Sequence, residues 1–126
     1  MRSAYIENGR ISLVERPKPE PKPGQALLRT RMAGICNTDL ELLAGYYGFA
    51  GVPGHEFVAV VEAAPGRPEL VGRRVTADIN CGCGACHLCL AGDARHCATR
   101  QVIGIVGWDG CLAEYLLAPV ENLRDI

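Results

Sequence analysis

Aromatic side chains are scarce in this sequence, at 6% of 126 residues, and neither sign of charge prevails, the formal net charge being −1. A near-neutral balance leaves no basic face of the kind that nucleic acid or an anionic membrane requires. No long apolar run stands behind Arg2 near the start, so no signal peptide is visible and no stretch is long enough to cross a bilayer. A disulfide framework is also missing. The cysteines number seven, an odd count, and without an export signal thiols are expected to stay reduced. The expectation is a cytoplasmic protein with neither nucleic acid nor membrane as partner.

What is present points to a β-rich domain. Hydrophobic residues make up 48% of the chain, enough for one compact core, while 15 Gly and 8 Pro favour short elements joined by turns. Ser3 to Ile6 and Ile11 to Glu15 flank Asn8-Gly9, the strongest short-range hairpin signal. The run Pro17-Lys18-Pro19-Glu20-Pro21-Lys22-Pro23 cannot feed a ladder and reads as an extended surface crossing rather than a linker. Strands are expected over Gln25 to Gly34, Phe57 to Ala63, Val71 to Ile79, Val102 to Val106 and Cys111 to Ala118, with a turn at Gly107 to Gly110. Cap-type residues Cys36 to Asp39 precede a short helical run, Leu40 to Ala44, stopped by Gly45. Short strands with Gly and Pro turns suggest a barrel or a sandwich.

Five of the seven cysteines fall between residues 81 and 97. In Cys83-Gly84-Ala85-Cys86-His87-Leu88-Cys89, closed by Cys97, the gaps of two, two and seven residues let one tight turn aim several sulfurs inward. Four thiolates suit Zn²⁺, bound tetrahedrally at about 2.3 Å each, and leave no position for water or substrate. Such a site is structural. An iron–sulfur cluster uses the same ligand count and is the alternative metal. Cys81 is a fifth thiol outside the pattern, either spare or competing, and His87 and His96 are expected to face solvent.

Upstream, Cys36 and Gly54-His55-Glu56 offer one sulfur, one imidazole and one carboxylate. Spacing alone favours a structural reading of such a pair over a metal site. The wider sequence adds more. Gly34-Ile35-Cys36-Asn37-Thr38-Asp39, Gly54-His55-Glu56-Phe57-Val58, Val71-Gly72-Arg73-Arg74-Val75, the cysteine loop and Gly110-Cys111-Leu112-Ala113-Glu114-Tyr115 follow one another in the order and with the gaps of a known family. Together they resemble the medium-chain, zinc-dependent alcohol dehydrogenases. The resemblance implies a mainly β fold with short helices, a GroES-like irregular β-barrel with a zinc-binding loop. It implies that Cys36 and His55 hold a catalytic zinc, with Glu56 a direct ligand or a carboxylate just behind the metal. It also implies that one further ligand, a cysteine or an acid, comes from the rest of a longer protein, leaving the site incomplete in residues 1–126. It makes Thr38 the hydroxyl of a proton relay. The implied reaction passes hydride from a small alcohol or polyol to NAD or NADP.

Three departures qualify the match. The histidine that often extends the relay is replaced by the stretch Asp39-Leu40-Glu41, and Ala59 stands where glycine is frequent. No Gly-x-Gly-x-x-Gly follows a strand, since Gly104, Gly107 and Gly110 lie three apart between strands. Residues 1–126 are therefore expected to be the catalytic-domain portion of a longer dehydrogenase whose nicotinamide-binding half lies elsewhere, inactive alone. Any homo-oligomer is expected only for the longer protein. The competing reading is a stand-alone zinc-stabilised binding or scaffold module. A nucleic-acid-binding zinc ribbon lacks the basic residues it needs. Tyr46, Tyr47 and Phe49 could line a substrate pocket, with an ordinary core or surface role as the default, and Asp39 is divided between a helix cap and a part in the site.

Overall fold

The computed structural model describes residues 1–126. Its backbone is a five-stranded antiparallel sheet with two small sheets against it. β1 (Arg2–Glu7) and β2 (Arg10–Glu15) form a hairpin around Asn8-Gly9, with both turn residues at positive φ. β3 (Gln25–Gly34) lies between the central strand β4 (Glu56–Ala63) and the edge strand β9 (Tyr115–Pro119). β5 (Arg74–Ala77) and β10 (Leu123–Asp125) extend the sheet beyond β4. The third sheet joins β6 (Asn80–Cys81), β7 (Gln101–Ile103) and β8 (Gly107–Trp108). Helix is confined to α1 (Asn37–Leu43), α2 (His87–Leu90) and short 3₁₀ turns. The sheets curl around a shared core without closing into one continuous hydrogen-bonded barrel.

That core is aliphatic, as a chain poor in aromatics requires. Ala26 and Leu28 of β3, Phe57, Ala59 and Val61 of β4, Val75 of β5, and Leu116 and Ala118 of β9 are all buried, with Ile103 from the small sheet. Alternation along β4 points Phe57, Ala59 and Val61 inward. The proline run crosses the surface between β2 and β3. Lys18 there lies 4.1 Å from the centre of the Tyr115 ring and 3.4 Å from Glu62, so the segment is pinned to the sheet.

Several elements differ from the sequence expectation. The expected strand over Cys111 to Ala118 starts only at Tyr115. Residues 112–114 instead bridge two sheets, as Ala4 and Thr30 donate to the carbonyls of Leu112 and Glu114, and Glu114 donates to that of Arg2. The strand expected over Val71 to Ile79 is shortened to β5. Buried Asn122 reaches into the break after it and donates to the carbonyls of Asp78 and Asn80 at 2.8 and 2.9 Å. Helix α1 begins three residues earlier than the helical run suggested, because Cys36 caps it. Gly107-Trp108 is a short parallel strand beside β7 rather than a turn alone.

Candidate metal centres

The sulfurs of Cys83, Cys86, Cys89 and Cys97 all lie within 4.8 Å of one another. Local backbone geometry gathers them. Cys86 caps α2, its Sγ accepting the Cys89 N–H at 3.4 Å. Cys83 Sγ accepts the N–H groups of Ala85 and Cys86, and Cys97 Sγ accepts that of Cys83 at 3.5 Å. Amide donors aimed at sulfur favour the thiolate that a metal needs. The Ala85 and Cys86 amides hold the Cys83 thiol below its usual range. The Thr99 hydroxyl, followed by the Cys83 amide, brings Cys97 down to about 6. At Cys89 the Gly84 amide is outweighed by burial and the neighbouring thiols, which push the thiol up to about 11. The convergence of four soft donors, rather than their acidity, fits zinc in a closed shell.

Cys81 is not part of this cluster. It is buried, its Sγ points at the Ile79 carbonyl 3.7 Å away, and burial pushes its thiol up to about 11. His87 and His96 are exposed, as expected, and His96 Nδ1 sits 2.8 Å from Asp93. Reactivity should follow these environments. With metal stripped by a chelator, brief iodoacetamide treatment at neutral pH is expected to modify exposed Cys83 first and to spare Cys81 and Cys111. Peptide mass spectrometry checks this, and early labelling of Cys81 would contradict the assignment.

The second cluster joins the start of α1 to the start of β4. Cys36, His55 and Glu56 place one donor atom each within 4.8 Å of the others. Cys36 is the N-cap of α1, where its Sγ accepts the Thr38 N–H at 3.4 Å, while His55 precedes β4 and Glu56 is its first residue, opposite Gly34 at the end of β3. Asp39 ties the two segments together. One oxygen accepts the Cys36 N–H at 2.9 Å, completing a capping box. The other accepts the Gly54 N–H at 3.2 Å and stands 3.6 Å from His55 Nδ1, a buried nitrogen with no hydrogen-bond partner. A carboxylate behind an imidazole is the arrangement that orients a metal-binding histidine. The sequence left Asp39 divided between cap and site, and the structure gives it both places. Its three-residue offset from Cys36 is the capping-box spacing, which was the available signal.

The floor under His55 consists of backbone. Gly54 has φ +100°, and a Cβ there would lie 2.8 Å from both Cys111 Sγ and Leu112 Cγ. Residues 52–54 pair with 110–112, Cys111 donating to the Gly54 carbonyl at 2.9 Å and Gly110 to that of Val52 at 2.8 Å. Gly104 and Gly110 pack on that same Gly54 carbonyl so closely that a Cβ at either would overlap it. Cys111 is buried there, 3.6 Å from the Glu56 carbonyl, and burial, then the charges of Asp39 and Glu56, push its thiol up to about 12. It is a neutral packing group. Neither Gly104 nor Cys111 was singled out for the site from sequence, because contacts between distant turns leave no periodic trace.

Thr38 is half-buried in the first turn of α1, beside Cys36. Glu41, one turn on, is exposed and accepts from Asn37 Nδ2 at 2.9 Å. Tyr46 and Tyr47 are exposed, their rings 4.3 Å apart, while Phe49 is half-buried against Gly51.

The sequence profile of the alcohol dehydrogenase GroES-like domain matches residues 22–126. The chain belongs to that family. Among its relatives, the starvation-sensing protein RspB of Escherichia coli K12 is 36% identical over 97% of this chain. The D-altritol 5-dehydrogenase of Agrobacterium fabrum is 35% identical, also over 97%. In each case the match covers 38% of the relative, so the chain spans under two-fifths of those proteins' length. A crystal structure of an alcohol dehydrogenase from E. coli CFT073 in complex with NADH superposes with a TM-score of 0.92 at 34% identity, over 100% of this chain and 38% of that one. A cobalt- and zinc-bound thermostable alcohol dehydrogenase from Pyrobaculum aerophilum superposes with a TM-score of 0.86 at 34% identity, over 99% and 41%. The GroES-like fold of the family is the fold of this chain. No helix is long and apolar enough to cross a membrane.

Proposed function

We propose that residues 1–126 are the metal-binding part of a zinc-dependent alcohol or polyol dehydrogenase, working in the cytoplasm with a dinucleotide-binding half that supplies NAD or NADP. The observation that carries this reading is the pairing of a closed four-thiolate cluster with an open Cys36–His55–Glu56 cluster in one small domain. A three-donor set leaves the remaining coordination position to substrate. Zinc, when bound, supplies Lewis acidity that favours loss of the alcohol proton.

The residues divide the remaining work. Cys36 and His55 hold the metal, and Glu56 completes or backs the shell. Asp39 stands behind the His55 ring and orients it, and by holding the Cys36 amide and the backbone at Gly54 it ties the two ligand-bearing segments together. Thr38 takes the alcohol proton at its hydroxyl and passes it outward. With no histidine to extend it, the relay beyond Thr38 ends in exposed Glu41, in water or on the cofactor ribose. The loop Cys83–Cys97 contributes rigidity only. The substrate is a small alcohol or polyol, and a homo-oligomer belongs to the longer protein.

Elemental analysis tests the metal assignment on the chain as it is. About two zinc ions per chain are expected in the wild type, one in each cluster. A longer dehydrogenase carrying this domain that holds a single ion, lost when Cys86 is replaced by serine, would leave the open cluster without metal and overturn the catalytic reading.

A further inference from the structure

We infer that Gly34 is the residue that gives the Glu56 carboxylate its place beside Cys36 and His55, and so sets the metal affinity of the open site. The inference rests on the metal reading proposed above. Gly34 ends β3 and lies directly opposite Glu56, the first residue of β4. Its φ is outside the left-handed region that twelve other glycines of this chain occupy, so the backbone at 34 accepts any L-residue. The absence of a side chain there answers to space instead.

A Cβ built on Gly34 would lie 2.8 Å from Glu56 Oε2 and 3.3 Å from Glu56 Cβ. Directly opposed residues in an antiparallel pair normally keep their Cβ atoms about 4.5–5.5 Å apart. At this pair the carboxylate folds back over the partner strand into the room that glycine leaves. That room is two residues from Cys36, and a Glu56 carboxylate oxygen lies within 4.8 Å of the Cys36 and His55 donor atoms. Glu56 is exposed, so an obstructed carboxylate swings into solvent without disturbing the core. The fold would survive such a displacement and the donor set would not. Gly34 is a positioning residue that acts through Glu56.

The test uses the full chain carrying one zinc in its thiolate loop, titrated with Co²⁺ and followed by cobalt ligand-field absorption. Wild type, Gly34→Ala, Glu56→Ala and the double variant are compared, with retention of the loop zinc reporting an intact fold. Gly34→Ala is expected to weaken cobalt binding by about 10-fold or more, the range seen when a residue supporting a metal ligand is lost. In the Glu56→Ala background the same change should add nothing, since its target is gone. Cobalt binding to Gly34→Ala as tight as to wild type would overturn the inference, as would an equal weakening in both backgrounds. A wild-type chain that takes up no cobalt beyond its loop zinc would overturn the underlying metal reading, and the role of Gly34 with it.

Discussion

His55→Ala, made in a longer dehydrogenase that carries this domain, is expected to bring alcohol-dependent reduction of NAD(P) to background while leaving the loop zinc bound. The imidazole is one of three donors at the open cluster, and the side chain is only 9% exposed, so no solvent group stands ready to replace it. Loss of a residue that merely supports a ligand lowers metal affinity or activity by about 10- to 100-fold. Loss of the ligand itself should exceed that, and a fall of ~10³-fold corresponds to about 4 kcal/mol of transition-state stabilisation. The substitution also strands Asp39, which would keep its bonds to the Cys36 and Gly54 amides but face an empty space where the ring was. Steady-state turnover combined with metal analysis separates the effects. A variant with near-normal turnover would remove His55 from the mechanism. One that loses both metals would mean the two clusters are not independent.

Cys86→Ser should lose the loop metal and a large part of the chain's stability. Cys86 acts twice, as one of four converging sulfurs and as the N-cap of α2 through its bond from Cys89. A serine hydroxyl can still cap a helix. It does not ionise to replace a thiolate, so the expected loss isolates the metal's contribution. Structural zinc binds zinc-finger peptides with apparent free energies of about 10–16 kcal/mol, and part of that is folding energy wherever the loop is unordered without metal. A net loss of about 3 kcal/mol in a domain of this size lowers the melting temperature by roughly 10 °C. Thermal unfolding with and without a chelator measures it. A variant melting with the zinc-loaded wild type would make the four cysteines ornamental.

Much of this architecture was legible in the sequence, and for identifiable reasons. β3 was bounded correctly because Gly24 and the Cys36 cap bracket its ten residues. The hairpin followed from Asn8-Gly9 and the four-thiolate cluster from its cysteine gaps, while the Cys36–His55–Glu56 cluster followed only from the family resemblance. The failures share a cause. β6, β8 and β10 are two or three residues long, too short for any periodicity, and their pairing is decided by distant partners. α2 is a four-residue helix nucleated inside the thiolate loop by a sulfur cap. Local propensity carries no trace of that. Asn122 is a surface-type residue by composition, yet it is buried to satisfy carbonyls at a strand break. Gly104 and Gly110 do not have the spacing of a phosphate-binding fingerprint, and spacing gives no sign of their packing on the Gly54 carbonyl.

Those glycines, with Gly54, have a bearing on how such a domain diversifies. The segment that delivers His55 is anchored by main-chain atoms, the Gly54 carbonyl lying between Gly104 and Gly110. Mould and contents are thereby separate. Side chains that face a substrate are free to drift toward new alcohols while the imidazole stays where it is, because none of them takes part in holding it. The mould itself has no gradual route to another shape. A first carbon atom added at 54, 104 or 110 meets packed neighbours at once, so there is no small step from which selection could start.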